Sequence, residues 1–167
     1  MNPLPDMPNK GIFFFWLLVA AAVLAADQAS KSVILAYFRH GEQLPLTGFF
    51  NLTLVYNTGA SFGLLANMGG WQRWLFTLLA LGICLWILVM LWKHPRQRLQ
   101  NTALALIMGG ALGNVIDRLL HGAVVDFLDF HLAGWHWPAF NLADSGITAG
   151  AALLILGALL EQREVKA

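Results

Sequence analysis

The chain has 167 residues, 58% of them hydrophobic and only 11% charged, with ten Lys+Arg against nine Asp+Glu and a net charge of +1. That balance excludes an electrostatic nucleic-acid binder, which needs a clustered basic face, and a disordered tail, which is poor in apolar residues. It also excludes a water-soluble globule, which could not bury so much apolar surface at this size, and the lone Cys84 inside an apolar run leaves no disulfide framework or cysteine-based metal cluster. The composition is that of a small integral membrane protein, and the scarce acids are its most informative residues.

The first span is read at about 11–31. Its apolar run ends at Ala26, and it reaches the length of about 20 helical residues that a bilayer core requires only by taking in Asp27 to Lys31. Lys10, the apolar stretch and Leu24-Ala25-Ala26 also resemble a cleavable signal peptide, but the segment is read as a retained span. An outside segment of about 37–70 follows. Within it, Phe50, Leu52, Leu54 and Tyr56 alternate with polar Asn51, Thr53 and Asn57, which predicts a half-buried strand. Leu44 to Gly48 predicts a turn and a second short strand, so a small antiparallel β patch is expected between spans one and two.

The second span, about 72–92, has a full-length core from Trp74 to Trp92 with no ionisable residue. Lys93, Arg96 and Arg98 fill a short link to the third span, about 102–120, which takes in Asn114 to Arg118. An outside loop of 121–140 lacks Lys and Arg, and the fourth span, about 141–160, takes in Asn141 to Asp144. Lys10, the 93–98 cluster, Arg163 and Lys166 orient the chain with both termini in the cytoplasm. Trp71, Trp74, Trp135 and Trp137 suit the outer interface and Trp92 the inner one. The expected fold is a single mainly helical membrane domain of four transmembrane helices with that β patch outside.

Helix rise converts position to depth. Asp27 lies about 22 Å from the inner end of span one, Asn114 about 18 Å and Arg118 about 24 Å along span three, and Asp144 about 25 Å from the inner end of span four. Asp27, Asn114, Asp117, Arg118 and Asp144 therefore share one layer in the outer part of a core about 30 Å thick. Ionisable groups in lipid are costly and are usually functional. The bland alternatives are end-of-span snorkelling, an Asp117–Arg118 ion pair, and an Asp27–Lys31 bridge at i+4.

Two carboxylates in one dry site can share a proton, the ionised partner activating water and the protonated one polarising a carbonyl. Asp27, Glu42, Asp117, Asp126, Asp129 and Asp144 are the candidates, and spacing alone does not choose among them. Gly59-Ala60-Ser61-Phe62-Gly63 fits a nucleophile elbow, but the chain has no room for the α/β sheet that motif requires, so small turn-forming residues are the simpler reading. Cys84 reads as core packing. Asp129, His131 and His136 do not show a recognised metal-ligand spacing. A four-helix proton-coupled transporter using Asp27 or Asp144 is the rival from another class, although carriers usually bind at mid-membrane.

Five motifs in order then carry a resemblance: Asp27-Gln28-Ala29-Ser30-Lys31, Asn57 to Gly63, Gly109 to Arg118, Val124-Val125-Asp126-Phe127, and Phe140-Asn141-Leu142-Ala143-Asp144. Over roughly residues 12 to 160 the chain resembles the lipoprotein signal peptidases, the bacterial type II signal peptidases. The resemblance implies an aspartyl endopeptidase of the bacterial inner membrane, inhibited by globomycin, that cuts a prolipoprotein before its diacylglyceryl cysteine near the outer face. It implies Asp126 and Asp144 as the catalytic pair and Asp27, Lys31, Asn57, Gly59, Asn114, Arg118 and Asn141 as substrate-binding or supporting residues. Asn114 and Asn141 would orient carboxylates and substrate, Arg118 would balance Asp117, and Asn57 would meet the substrate backbone. No metal or organic cofactor and no nucleic acid are implied. Partners would be prolipoproteins and membrane lipid, with the enzyme a monomer. Gly69-Gly70 and the 131–138 stretch are candidate hinges on composition.

Overall fold

The computed structural model describes residues 9–59 and 69–166. In chain order these form α1 (Lys10–Tyr37), β1 (Gln43–Pro45), β2 (Phe50–Asn57), α2 (Gln72–Lys93), α3 (Arg98–His121), β3 (Val124–Leu132), β4 (Trp135–His136) and α4 (Leu142–Lys166). All four helices are long and apolar enough to cross a membrane. Their apolar side chains point outward in number: Leu18, Leu78 and Ile155 are each more than 60% exposed. Such faces are stable only when lipid is the solvent. The Asn9 side chain accepts from the Ile12 amide and starts α1, which runs unbroken through Leu24–Ala26 and six residues past the expected end at 31.

Helix α3 is the central element and packs against α1, α2 and α4. It approaches α1 and α4 closely because glycines face them across the helix contacts. A Cβ at Gly109 would meet the Ala20 carbonyl oxygen of α1 at 2.5 Å, and one at Gly110 would collide with the Ala143 carbonyl oxygen of α4. On α4, a Cβ at Gly150 would sit 2.6 Å from the Ala103 carbonyl oxygen of α3. Without a hydrophobic drive between helices in lipid, such close backbone packing is what holds them together. We expect Gly110→Ala to lower stability by about 1–3 kcal/mol, the usual cost of overpacking. Gly82→Ala in α2, where a Cβ meets nothing within 4 Å, should lose none. Thermal unfolding of the two variants in detergent checks both.

Four strands form one antiparallel sheet in the order β1-β2-β3-β4. The predicted strand Phe50–Asn57 is present, and the short strand before it is Gln43–Pro45. Half of the sheet, however, comes from the 121–140 loop, so the patch is shared by two outside segments. The expected burial of β2 is also corrected. Asn51 and Thr53, the polar positions, are buried, whereas Val55 and Tyr56 are exposed. Each buried polar group has a partner: Asn51 Nδ2 donates to Asp129 Oδ2 (2.8 Å) and Thr53 Oγ1 to the Glu42 carbonyl (2.9 Å). A register shift between Leu52 and Val55 then swaps the faces. Val125 and Phe127 of β3 pack with Leu54 and with Ile34 of α1, which fixes the sheet over the outer end of the bundle.

Candidate active site

The polar layer forms around Lys31. This side chain is 2% exposed, and its ammonium meets Asp27 Oδ2 at 2.8 Å, Asp117 Oδ2 at 2.7 Å and Asn114 Oδ1 at 3.0 Å. An ammonium has three donors, and here each has an acceptor. The i+4 bridge to Asp27 is thus real, but the ion pair expected between Asp117 and Arg118 is replaced. Asp117 turns inward to Lys31 because α3 places its neighbour Arg118 on a different side of the helix. Gln28, which sequence reasoning passed over, donates to Asp117 Oδ1 (3.0 Å) and to Asp27 Oδ2 (3.2 Å). Its place beside Asp27 in the first motif was the available signal.

These buried groups hold the sheet and α4 in place. Asp117 Oδ2 accepts from the Val125 amide at the start of β3 (3.0 Å), and Asp27 Oδ1 accepts from the Ala143 amide in the first turn of α4 (2.8 Å). Asn114 and Asn141 form the second relay. Because Asn114 Oδ1 faces the Lys31 ammonium, its amide nitrogen points the other way and donates to Asp144 Oδ1 at 2.9 Å. Asn141 Nδ2 donates to Asp126 Oδ1 at 2.7 Å and lies 3.3 Å from Asn114 Oδ1. Asn141 also starts α4. Its side-chain oxygen accepts from the Asp144 amide (2.9 Å), while Asp144 Oδ2 accepts from the Asn141 amide (3.3 Å). This reciprocal pair is a capping box, and it locks the Asp144 rotamer to the helix end.

Asp126 and Asp144 both line one cavity of about 680 Å³. Asn57, Gly59, Asn114 and Arg118 line it too, whereas Asp27, Lys31 and Asn141 stand behind its wall. Leu79 and Ile83 of α2, Ile107 of α3 and Ile147 of α4 give it an apolar side. Burial, and then the charge of Asp144, push the Asp126 carboxyl up to about 7, against the pull of hydrogen bonds from Asn57 and Asn141 and the charge of Lys31. The Gly59 amide donates to Asn57 Oδ1 at 3.0 Å, closing an Asx turn at the end of β2. Arg118 reaches over the Phe76 ring (5.4 Å), and among the described residues its bonds are long ones, 3.4 Å each, to the Asn114 and Gly59 carbonyls. Its buried Nε has no partner among the described residues.

Of the other candidates, Asp129 is three residues beyond Asp126 on β3. Side chains alternate along a strand, so the two carboxyls face opposite sides, and Asp129 bonds Asn51 and His136 instead. Glu42 accepts from the Arg39 amide in an exposed turn. Cys84 packs in the helix core. Ser61 lies outside the described residues, as do the rest of its motif beyond Gly59 and the 60–68 part of the outside segment.

Comparison with known proteins bears directly on this arrangement. A family profile described as Signal peptidase (SPase) II matches residues 19–160. A lipoprotein signal peptidase of Burkholderia vietnamiensis (strain G4 / LMG 22486) is 58% identical over 156 residues, covering 93% of this chain and 94% of that protein. One from Burkholderia multivorans (strain ATCC 17616 / 249) is 57% identical with the same coverage. Among solved structures, a bacterial membrane enzyme determined by the in meso method at 2.3 Å superposes with a TM-score of 0.80 and 31% identity, covering 99% of this chain and 97% of that one.

Proposed function

Since the chain belongs to the signal peptidase II family, we propose that it is an aspartyl endopeptidase removing the signal peptide of diacylglyceryl-modified prolipoproteins before the lipidated cysteine. The observation that carries this reading is the pair of carboxyls, Asp126 and Asp144, on one cavity with a shared amide relay between them. In the proposed reaction, one carboxylate takes a proton from water as its oxygen attacks the scissile carbonyl carbon. The other, protonated, donates to the carbonyl oxygen. The tetrahedral intermediate collapses with cleavage of the C–N bond, and the leaving cysteine amine receives a proton from the pair. The proton belongs to the dyad as a unit.

The surroundings suit this chemistry. Arg118, which lines the cavity and has an Nε without a partner among the described residues, is proposed to bind a substrate carbonyl or an ester of the lipid. Asn57 and Gly59 are proposed to meet the peptide backbone where β2 ends. The apolar side, formed by α2, α3 and α4, is proposed to take the acyl chains. The enzyme is read as a monomer in the bacterial inner membrane with both termini in the cytoplasm and the site near the outer face. The alternative, a proton-coupled transporter using Asp27 or Asp144, is not the reading favoured: Asp27 is 0% exposed and bonded to Lys31 and the Ala143 amide, and Asp144 shares its cavity with Asp126. The direct test is a gel-shift assay with purified protein and a lipidated prolipoprotein. Release of a signal peptide ending immediately before the modified cysteine is the expected result, and an intact substrate overturns the reading.

The pH profile is a further expectation. With Asp126 raised to about 7, a proton resides on the pair at pH 6 and leaves above neutrality. The rate constant kcat/KM should therefore fall about tenfold per unit at pH well above 7. A profile flat from pH 6 to 9 would contradict a shared proton.

A further inference from the structure

We propose that His136 and Asp129, with Asn51, are positioning residues that pin the short strand β4 in register and thereby hold Trp137 on the wall of the Asp126–Asp144 cavity, setting the affinity for substrate. The inference rests on the proposed peptidase reading and concerns residues that reading does not use.

Strand β4 has two residues, with partners His131↔His136 and Leu132↔Trp135. The turn joining it to β3 consists of Ala133 (φ 50°) and Gly134 (φ 82°). Positive φ at both positions is a type I′ turn, whose first position favours Asn, Asp or Gly, so Ala133 supports it poorly. Phe140 is bonded to β3 through its own amide and carbonyl, but between it and the strained turn β4 has two ladder positions and one bond from the Trp137 amide, and a slip of one residue there exchanges the faces of its side chains.

The side chains supply what the backbone lacks. Asp129 is 3% exposed. His136 Nδ1 lies 2.8 Å from its Oδ1 and 3.0 Å from its Oδ2, and Asn51 Nδ2 donates to Oδ2 at 2.8 Å. The rings of His131 and His136 stack at 5.0 Å. Burial works against the Asp129 carboxylate, but the hydrogen bonds from Asn51 and His136, with the two imidazoles nearby, hold it below the usual range. The anchor thus ties β4 across β3 to β2. His136 shares the Asp129 face, and alternation places Trp137 on the opposite one, the Asp126 face. There Trp137 and Phe140 line the cavity, with the Trp137 amide bonded to the Phe130 carbonyl (2.8 Å) and the Phe140 amide to the Leu128 carbonyl (3.1 Å).

The test uses the full chain in detergent with lipidated prolipoprotein. His136→Ala should raise KM about tenfold and leave kcat within about threefold, the pattern of lost uniform binding. It should also speed amide exchange at Trp137. Adding Ala133→Asn, which gives the turn a residue suited to its first position, should recover much of the KM and of the exchange protection, a rescue that a merely structural role would not show. An unchanged KM overturns the proposal. So does a joint fall of kcat and thermal stability that Ala133→Asn does not repair. Absence of cleavage by the unaltered chain overturns the peptidase reading itself. In that case unaltered Trp137 exchange in His136→Ala independently overturns the register lock.

Discussion

Asp126→Asn and Asp144→Asn are each expected to reduce cleavage by about 10²–10⁴-fold or more, while the protein still folds. Asparagine keeps the shape and an acceptor oxygen, so Asn141 Nδ2 can still reach position 126 and Asn114 Nδ2 position 144. What disappears is the exchangeable proton. As the two groups are proposed to act as one unit, the double variant should be no slower than the worse single one. Full activity in either variant would remove the dyad.

Stability gives this prediction a second arm. The folded-state pKa of Asp126, about 7, lies above its ordinary 3.8. The folded protein therefore binds this proton more tightly than the unfolded chain. The contribution to stability is fully present below pH 4 and is lost as pH rises through 7. Asp126→Asn has no proton to lose. Its Tm should match the parent's at acid pH and exceed it at pH 8, measured by thermal unfolding in the same detergent. A parent Tm that does not fall relative to the variant between pH 5 and 8 would contradict the burial argument.

Lys31→Met should be the most destabilising single change in the polar layer, at about 3–5 kcal/mol, because removing one partner of a buried ion pair strands the others. Here two carboxylates, those of Asp27 and Asp117, lose the cation that bonds both. Each keeps a backbone donor, Ala143 and Val125 respectively. These are the contacts that seat α4 and β3, so distortion would reach Asp144 and Asp126 and activity should fall as well. Restoring neutrality with Asp27→Asn and Asp117→Asn in the Lys31→Met chain should recover part of the loss. Thermal unfolding of the three chains decides it, and a loss under about 1 kcal/mol for Lys31→Met alone, the scale of an exposed pair, would mean that water reaches the layer.

Much of this was legible from residue order. Apolar runs and basic links define four helices, and helix rise alone brought Asp27, Asn114, Asp117, Arg118 and Asp144 to one depth. The β3 strand was missed although Val124 to Leu132 is rich in β-branched and aromatic residues. Read as a strand, its alternation would already have put Asp126 and Asp129 on opposite faces. The buried polar face of β2 was not readable, because the partners that make it tolerable, Asp129 and the Glu42 carbonyl, lie on other strands.

Residue order alone carried the membrane class, four helices long and apolar enough to span, and the common level of the scarce charges along those helices. These follow from local composition and from a rise per residue that is the same in every helix. How the charges divide was set by packing between distant segments. Asp117 could pair with its neighbour Arg118 or with Lys31 on another helix. It meets Lys31 because Gly109 lets α1 and α3 close to backbone distance and Gly113 leaves room for the Asp27 carboxylate, with Arg118 left at the cavity. Which carboxyls share a site is likewise a matter of pairing between distant segments. Such pairing depends on packing and register across the whole fold, and no local pattern contains it.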